Sequence, residues 1–171
     1  VDNIYLREKE ILEIIWTSLE NIPNLHILAP KHKERLGIIS FYIDNLHYNL
    51  GVKILNDKFG IQVRGGCSYA GTYGYYLLKV TKEYSKKITD LIDKGNYSTK
   101  PGWIRLSIHP TQSNEEISYL MDAIKQLADN HQNWQRNYNI DYSSGNIKCI
   151  NSNLDLELEE TIDRCFMEKF A

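Results

Sequence analysis

The sequence predicts an α+β fold, a two-layer sandwich with a mainly antiparallel sheet and helices packed on it. Short apolar, β-branched runs, which are typical of strands, alternate with segments whose apolar residues recur every three or four positions, which is typical of helices. The chain has 171 residues and a hydrophobic content of 42%, enough to bury one core. We therefore expect one domain over residues 1–130 and a C-terminal extension over residues 131–171 that packs on it.

The N-terminal part is expected to form a helix followed by a β-hairpin. Apolar side chains three, four and seven positions apart in residues 4–21 predict an amphipathic helix, which Pro23 ends. Residues 25–28 and 36–43 are apolar, β-branched runs, so they predict two strands. The turn between them, residues 30–35, is short and polar, which indicates that the two strands pair.

The middle of the chain is expected to contribute two helices and a short strand. Residues 46–59 place apolar side chains on one helical face, and Gly60 supplies a left-handed C-terminal cap. Residues 61–64 follow as a short strand. Residues 81–94 predict a moderately amphipathic helix that Gly95 ends.

The C-terminal third begins with a strand over residues 103–108. Ser113 and Glu116 then form a capping box, because each side chain can bond to the backbone N–H of the other, and a helix follows to residue 130. Residues 131–153 are polar and rich in asparagine. Residues 154–170 predict a weaker last helix or an extended tail.

Charge and cysteine content exclude several classes of function. A net charge of −2 gives no strong attraction to nucleic acid or to an anionic membrane. The three cysteines lack the spacing of a metal site or a secreted disulfide framework, and no segment has the pattern of a signal peptide. His47 and His109 are isolated, so we expect packed or polar histidines and no metal site. A reducing, cytoplasmic location is the expectation.

Arg105 is the first candidate binding residue. It lies in the middle of a predicted strand, where alternation places it on the opposite face from Ile104 and Leu106. A planar guanidinium can hold a carboxylate through two parallel hydrogen bonds, which fixes both position and orientation. The alternative is an edge-strand arginine that points into solvent or pairs with a glutamate.

Arg64 is the second candidate, at the end of the short strand before Gly65 and Gly66. Two consecutive glycines permit backbone angles that other residues avoid, and they allow close approach of a ligand or a neighbouring chain. The alternative is a structural salt bridge at Arg64. Cys67 follows directly, and its thiol would be nucleophilic only as a thiolate in an electropositive setting.

These motifs together resemble the C-terminal small domain of the class V aminotransferases. The motifs are Val-Arg-Gly-Gly-Cys-Ser-Tyr-Ala-Gly at 63–71, Lys-Pro-Gly-Trp-Ile-Arg-Leu-Ser at 100–107, the strand at 36–41 and the helix start at 114–117. This pyridoxal-phosphate family contains cysteine desulfurases, selenocysteine lyases and isopenicillin-N-epimerase-like proteins. The resemblance covers residues 4–130.

The resemblance implies the small domain of a fold-type I pyridoxal-phosphate enzyme, a transferase or lyase that acts on a small amino acid. In that family the arginine at the place of Arg105 binds the substrate α-carboxylate, and the loop of Arg64 lies at the mouth of the cofactor site. Arg105 and Arg64 are therefore the expected substrate-binding residues. The family is usually homodimeric, so a homodimer is expected here.

The loop departs from the desulfurase pattern at one position. In cysteine desulfurases the catalytic cysteine lies in a loop of the form Arg-X-Gly-X-X-Cys, and that position is Tyr69 here. Cys67, two residues earlier, is a candidate catalytic residue, although packing in the loop is the simpler role. Gly65, Gly66 and Tyr69 are candidate site-lining residues.

The cofactor lysine is expected in a Ser-X-His-Lys segment of the large domain. Lys31, His32 and Lys33 lie in a polar turn, and we interpret them as a solvated loop. We therefore expect this chain alone to be inactive and the missing large domain to be its partner. The alternative is a non-catalytic ligand-binding or interaction module on the same scaffold, which Tyr69 in the nucleophile's place leaves open.

Overall fold

A computed structural model describes residues 2–67, 71–141 and 143–150, and it confirms the predicted α+β architecture. The helices in these residues are α1 (Asp2–Leu19), α2 (Tyr48–Phe59), α3 (Gly71–Leu77), α4 (Lys82–Ile92) and α5 (Asn114–Trp134). The strands are β1 (Leu25–Ile27), β2 (Ile38–Ile43), β3 (Arg64–Gly66), β4 (Trp103–Ser107), β5 (Tyr138–Asp141) and β6 (Asn146–Cys149). None of these helices has the length and apolar character that crossing a bilayer requires.

The first four strands form an antiparallel sheet in the order β1, β2, β4, β3. β1 and β2 are the predicted hairpin. Side chains at alternate positions of β2 and β4 are buried, namely Ile39, Phe41, Ile104 and Leu106. α2 packs against β3 and β4, and α5 packs against both α1 and α2. The sheet therefore has one side on a core beneath helices, as a two-layer sandwich requires.

The helical layer forms because each long helix carries one apolar stripe. Ile15 of α1, Ile54 of α2 and both Ile124 and Leu127 of α5 are fully buried in one hydrophobic cluster. Each such side chain contributes on the order of 1.5–3 kcal/mol when it is removed from water. The apolar periodicity read from the sequence thus identifies the face of each helix that meets the sheet.

Two helix ends agree with the predicted capping signals, and a third cap, at Thr81, was not predicted. Ser113 Oγ accepts from the Glu116 backbone N–H at 3.2 Å, and the Glu116 carboxylate accepts from the Ser113 N–H at 2.7 Å. This is the predicted capping box at the start of α5. Gly60 has φ = 65° and ends α2 in the left-handed conformation. Thr81 caps α4 by accepting from the Tyr84 N–H at 3.2 Å.

Two predicted boundaries were wrong, and one helix was missed. The strand predicted at 61–64 is Arg64–Gly66, because Ile61 and Val63 pack against the core in an extended segment and pairing begins only where β4 lies alongside. α3 was not predicted, and α5 continues past residue 130 to Trp134. The predicted element at 154–170 lies outside the described residues.

The asparagine-rich segment after α5 also contains an unpredicted hairpin, β5 and β6. Tyr138 is buried, and the hairpin's apolar side chains pack against the main core, namely Ile140, Ile147 and Cys149. The Asp141 carboxylate accepts from the hydroxyls of Ser143 and Ser144, both at 2.6 Å, and from the Ser143 N–H at 2.9 Å. These bonds hold the pKa of Asp141 well below its usual range and fix the turn.

Candidate functional site

On the side of the sheet that faces away from the helices, the two predicted arginines lie opposite each other on neighbouring strands. The register pairs Arg105 of β4 with Arg64 of β3 on one side and with Ser40 of β2 on the other. Side chains directly opposite each other in antiparallel strands have Cβ atoms about 4.5–5.5 Å apart and lie on the same face. The structure therefore brings together two residues that are far apart in the sequence.

We call this side of the sheet the arginine face. The strand register assigns to it His26, Ile38, Ser40, Tyr42, Arg64, Gly66, Trp103, Arg105 and Ser107. These described positions include two arginines and neither a lysine nor a carboxylate. The Asp44 carboxylate lies 3.0 Å from the His26 Nε2 of this face, so a negative charge adjoins the face that carries the two arginines as well.

Arg105 is more exposed than its two neighbours in β4, as the predicted alternation requires. Its neighbours Ile104 and Leu106 are 1% and 4% exposed, whereas Arg105 is only half-buried. The Arg105 Nε is shielded from solvent and has no hydrogen-bond partner in the described residues. A buried donor without an acceptor costs on the order of 1–3 kcal/mol, so the geometry fits an acceptor that approaches from the arginine face.

Arg64 lies at the rim of the same face. It begins β3, an edge strand of three residues, and its side chain is exposed. Gly66 shares the face and has φ = 118°, a conformation that favours glycine. Gly65 points the other way, because it pairs with the core residue Ile104. The structure thus places Gly66 beside the arginines and Gly65 against the helical layer.

Tyr48 is a site-building residue that sequence reasoning missed. A Cβ atom at Gly65 would lie 2.9 Å from the Tyr48 ring, and one at Gly102 would lie 2.5 Å from it. The ring is buried and stacks on His47 with centroids 4.5 Å apart. Tyr48 therefore fits between β3 and the segment that leads into β4. The two glycines were a signal for this close approach, although nothing in the sequence identified the aromatic partner.

Cys67, which follows β3, bonds to the segment that leads into β4. Its thiol donates to the Pro101 carbonyl at 2.8 Å, and burial raises the pKa of the thiol although the Lys100 charge opposes the shift. A raised pKa favours the thiol over the nucleophilic thiolate. In the structure Cys67 is a half-buried thiol bonded to the backbone segment before β4. Tyr69, the predicted site-lining residue, lies outside the described residues.

The other candidate side chains do not stand at positions of the arginine face. Lys31, His32 and Lys33 are in the exposed turn before β2, where Lys33 pairs with Glu20 at 2.6 Å. His47 Nδ1 accepts from the Asn49 N–H at 3.3 Å and so caps α2, and burial lowers the pKa of His47.

His109 Nδ1 lies 2.8 Å from the Thr111 hydroxyl. Within the described ranges, no cluster of three or more His, Cys, Asp or Glu side chains could hold a metal ion.

An apolar hollow of about 390 Å³ adjoins the arginine face. Ile38, Ser40 and Trp103 belong to both, and the rest of the lining combines Leu28, Ala29, Leu36 and Leu77 with His32 and Arg35. The Trp103 ring is covered by α3, since a Cβ at Gly74 would lie 3.3 Å from it. The shielded Nε shows that Arg105 itself is partly desolvated, and in such a setting a charge-assisted hydrogen bond is stronger than in water.

Comparisons with known proteins agree on one family. A family model described as Aminotransferase class-V matches residues 1–120. A curated protein described as a probable cysteine desulfurase, from Synechocystis sp., is 34% identical over 68 residues, which are 39% of this chain and 16% of that protein.

A solved structure gives the same fold. The apo structure of cysteine desulfurase from Thermococcus onnurineus NA1 superposes with a TM-score of 0.51 at 21% identity, over 75% of this chain and 26% of that chain. At this identity the likeness shows the fold alone. The chain therefore spans about a quarter or less of the length of these two relatives.

Proposed function

Because the chain belongs to the class-V aminotransferase family, as its loop and strand motifs predicted, we propose that it forms the substrate-carboxylate side of an active site for a small amino acid. The observation that supports this most is the Arg105 guanidinium on the arginine face, with a shielded Nε donor and Arg64 directly opposite. Arg105 and Arg64 are the proposed substrate-binding residues.

The strand geometry suits Arg105 to the role. β4 is paired on both sides, so the backbone that carries Arg105 is held more firmly than that of an edge strand. A guanidinium held in this way can receive a carboxylate through two parallel N–H bonds. The bound carboxylate thereby gains a fixed orientation, and orientation is the main contribution that a binding residue makes to a subsequent reaction.

The class-V aminotransferase family depends in general on pyridoxal phosphate, which supplies an electron sink for carbanion chemistry. The described residues of the arginine face fit a substrate anion and do not fit attachment of this cofactor, because none of them is a lysine and none is an acid that could pair with the ring nitrogen. We propose that a large domain provides those groups, and that the complete cytoplasmic enzyme is a homodimer.

Cys67 bears on the type of reaction. Its thiol donates to Pro101 O, and burial raises the pKa of the thiol, which disfavours the thiolate. We therefore propose transferase or lyase chemistry on the amino acid that does not use Cys67 as a sulfur-accepting nucleophile. Selenocysteine lyase-like activity and transamination both meet this condition.

The test is the affinity of the 171-residue chain for L-alanine, measured by NMR titration of arginine side-chain signals. Arg105→Lys removes the two-point contact and keeps the charge, so the affinity should fall by about 10- to 150-fold, the range for hydrogen bonds to charged groups. Arg136→Lys is the matched control, because Arg136 is exposed and lies beyond α5. Equal affinities of wild type and Arg105→Lys would contradict the proposal.

A further inference from the structure

We propose that residues 154–170 form an amphipathic helix that packs on a surface at the C-terminal end of α5. We call this surface the tryptophan patch, and it consists of Lys58, Phe59, Trp134, Arg136 and Ile150. Residues 154–170 themselves lie outside the described residues. All of this segment and most of the patch also lie outside residues 1–120, which the family model matches, so the packing is independent of the proposed function.

The tryptophan patch has an aromatic centre that is only partly covered. The Phe59 and Trp134 rings pack at the edge of the hydrophobic core, with centroids 5.9 Å apart and ring planes 54° apart. Both side chains are partly exposed, whereas Trp16 and Trp103 are 4% and 5% exposed. A further element that covers the two rings therefore removes more apolar area from water, which is favourable.

The chain leaves the described structure beside this patch. The Ile150 N–H donates to the Asn137 carbonyl at 2.8 Å, three residues after Trp134, and the Ile150 side chain is 61% exposed. The four residue steps from Ile150 to Leu154 span at most about 14 Å when fully extended. The start of the segment is thus tethered close to the patch, which favours this segment over a partner that arrives from solution.

The sequence of the segment has the pattern of a helix that needs a surface. Apolar residues recur at every fourth position, which predicts one apolar stripe along a helix. This stripe consists of Leu154, Leu158, Ile162, Phe166 and Phe170. A helix of about 17 residues is marginal in water by itself, so it is stable when its apolar stripe packs on the rest of the protein.

Charge complementarity also favours this segment as the occupant. Residues 151–171 contain six acidic and two basic side chains, so residues 1–150 have a net charge of +2 although the whole chain has −2. In the patch, the Lys58 Nζ lies 4.8 Å from the centre of the Trp134 ring, and the Arg136 side chain is exposed. Neither Lys58 nor Arg136 forms an ion pair within residues 2–67, 71–141 and 143–150.

The acids at this end of the domain leave the two cations of the patch accessible. Asp57 pairs with Lys53 at 3.0 Å, and Asp141 accepts from the hydroxyls of two serines in its own turn. Asp129 is five residues before Trp134 in α5, a spacing that places the two side chains on different sides of the helix. An acidic segment beside the patch therefore meets Lys58 and Arg136.

The experiment places a charge in the apolar stripe of the intact 171-residue chain and follows Trp134. Phe166→Glu should release the segment, shift the indole N–H NMR signal of Trp134 and increase the quenching of its fluorescence by acrylamide. The buried Trp16 and Trp103 should keep their signals. Met167→Glu is the matched control, because residue 167 lies about 100° further around the helix, outside the stripe. The Tm of Phe166→Glu should be at least about 4 °C below that of Met167→Glu, as expected when large apolar side chains become exposed.

A second variant tests the charge. Lys58→Gln should lower Tm, and by less at about 0.5 M NaCl than at about 0.05 M, since salt screens the attraction. Lys125→Gln, at an exposed position of α5 outside the patch, should behave as wild type. An unchanged Trp134 signal in Phe166→Glu, or equal effects of Phe166→Glu and Met167→Glu, would overturn the inference. A dimer in gel filtration that Phe166→Glu converts into a monomer would overturn it too, because the segment would then pack on a second copy of the chain.

Discussion

Gly102→Ala tests whether Tyr48 fixes the segment that leads into β4. A Cβ atom at residue 102 would lie 2.5 Å from both Cδ1 and Cε1 of the Tyr48 ring and 3.0 Å from Cγ, which is closer than carbon atoms approach without displacement. The ring cannot simply withdraw, because it is buried and His47 stacks on it at 4.5 Å. Overpacking of this kind destabilises a protein by about 1–3 kcal/mol.

The assay is chemical denaturation of the two proteins, with thermal melting as a second measure. A domain of this size loses about 2–4 °C in Tm per kcal/mol, so Tm should fall by roughly 2–12 °C. Tyr48→Leu, which replaces the flat ring, should make Gly102→Ala less harmful, so the double variant should be more stable than the sum of the single effects by about 0.5–3 kcal/mol. Strict additivity, or a Gly102→Ala variant as stable as wild type, would refute the argument.

Two further predictions follow from the caps and from the thiol. Ser113→Ala removes the acceptor for the Glu116 N–H, so the free energy of unfolding should fall by about 0.5–2 kcal/mol in denaturant titration, and an unchanged midpoint would show that the capping box contributes nothing. Because burial raises the pKa of Cys67, its alkylation by iodoacetamide should be slower than that of a free thiol at pH 7 and should accelerate only in alkaline solution. The thiol's contribution to the free energy of unfolding is fully present below about pH 8.5, the pKa of a cysteine in the unfolded chain. It is lost as the pH rises through the higher pKa of Cys67 in the folded protein. Rapid alkylation of Cys67 at pH 7 would contradict the raised pKa.

Local sequence signals were sufficient for most of the fold. The capping box at Ser113, the glycine cap after α2 and the apolar periodicity of α1, α2 and α5 depend on residues within one or two turns of each other. The exposure of Arg105 between two buried neighbours also follows from local alternation. These features could be read from the chain because their physical causes lie within short segments.

The remaining features depend on contacts between distant segments. The position of β3 is set by where β4 offers backbone partners, and the sequence of residues 61–66 contains no signal for that. The hairpin of β5 and β6 has few apolar residues, and it is held by packing against the core and by the Asp141 turn. Its short strands lacked the β-branched run on which the strand predictions relied.

The pairing of Arg64 with Arg105 is the feature on which the proposed function depends most, and packing on the opposite side of the sheet fixes it. A slip of one residue between β3 and β4 would turn Arg64 toward the helical layer. There it would meet Tyr48 and Val52, which lie 2.9 and 3.0 Å from the Cβ position at Gly65. A guanidinium does not fit in that space, and its charge would be buried without a partner. The small size of Gly65 therefore favours the register in which both arginines lie on the same face of the sheet.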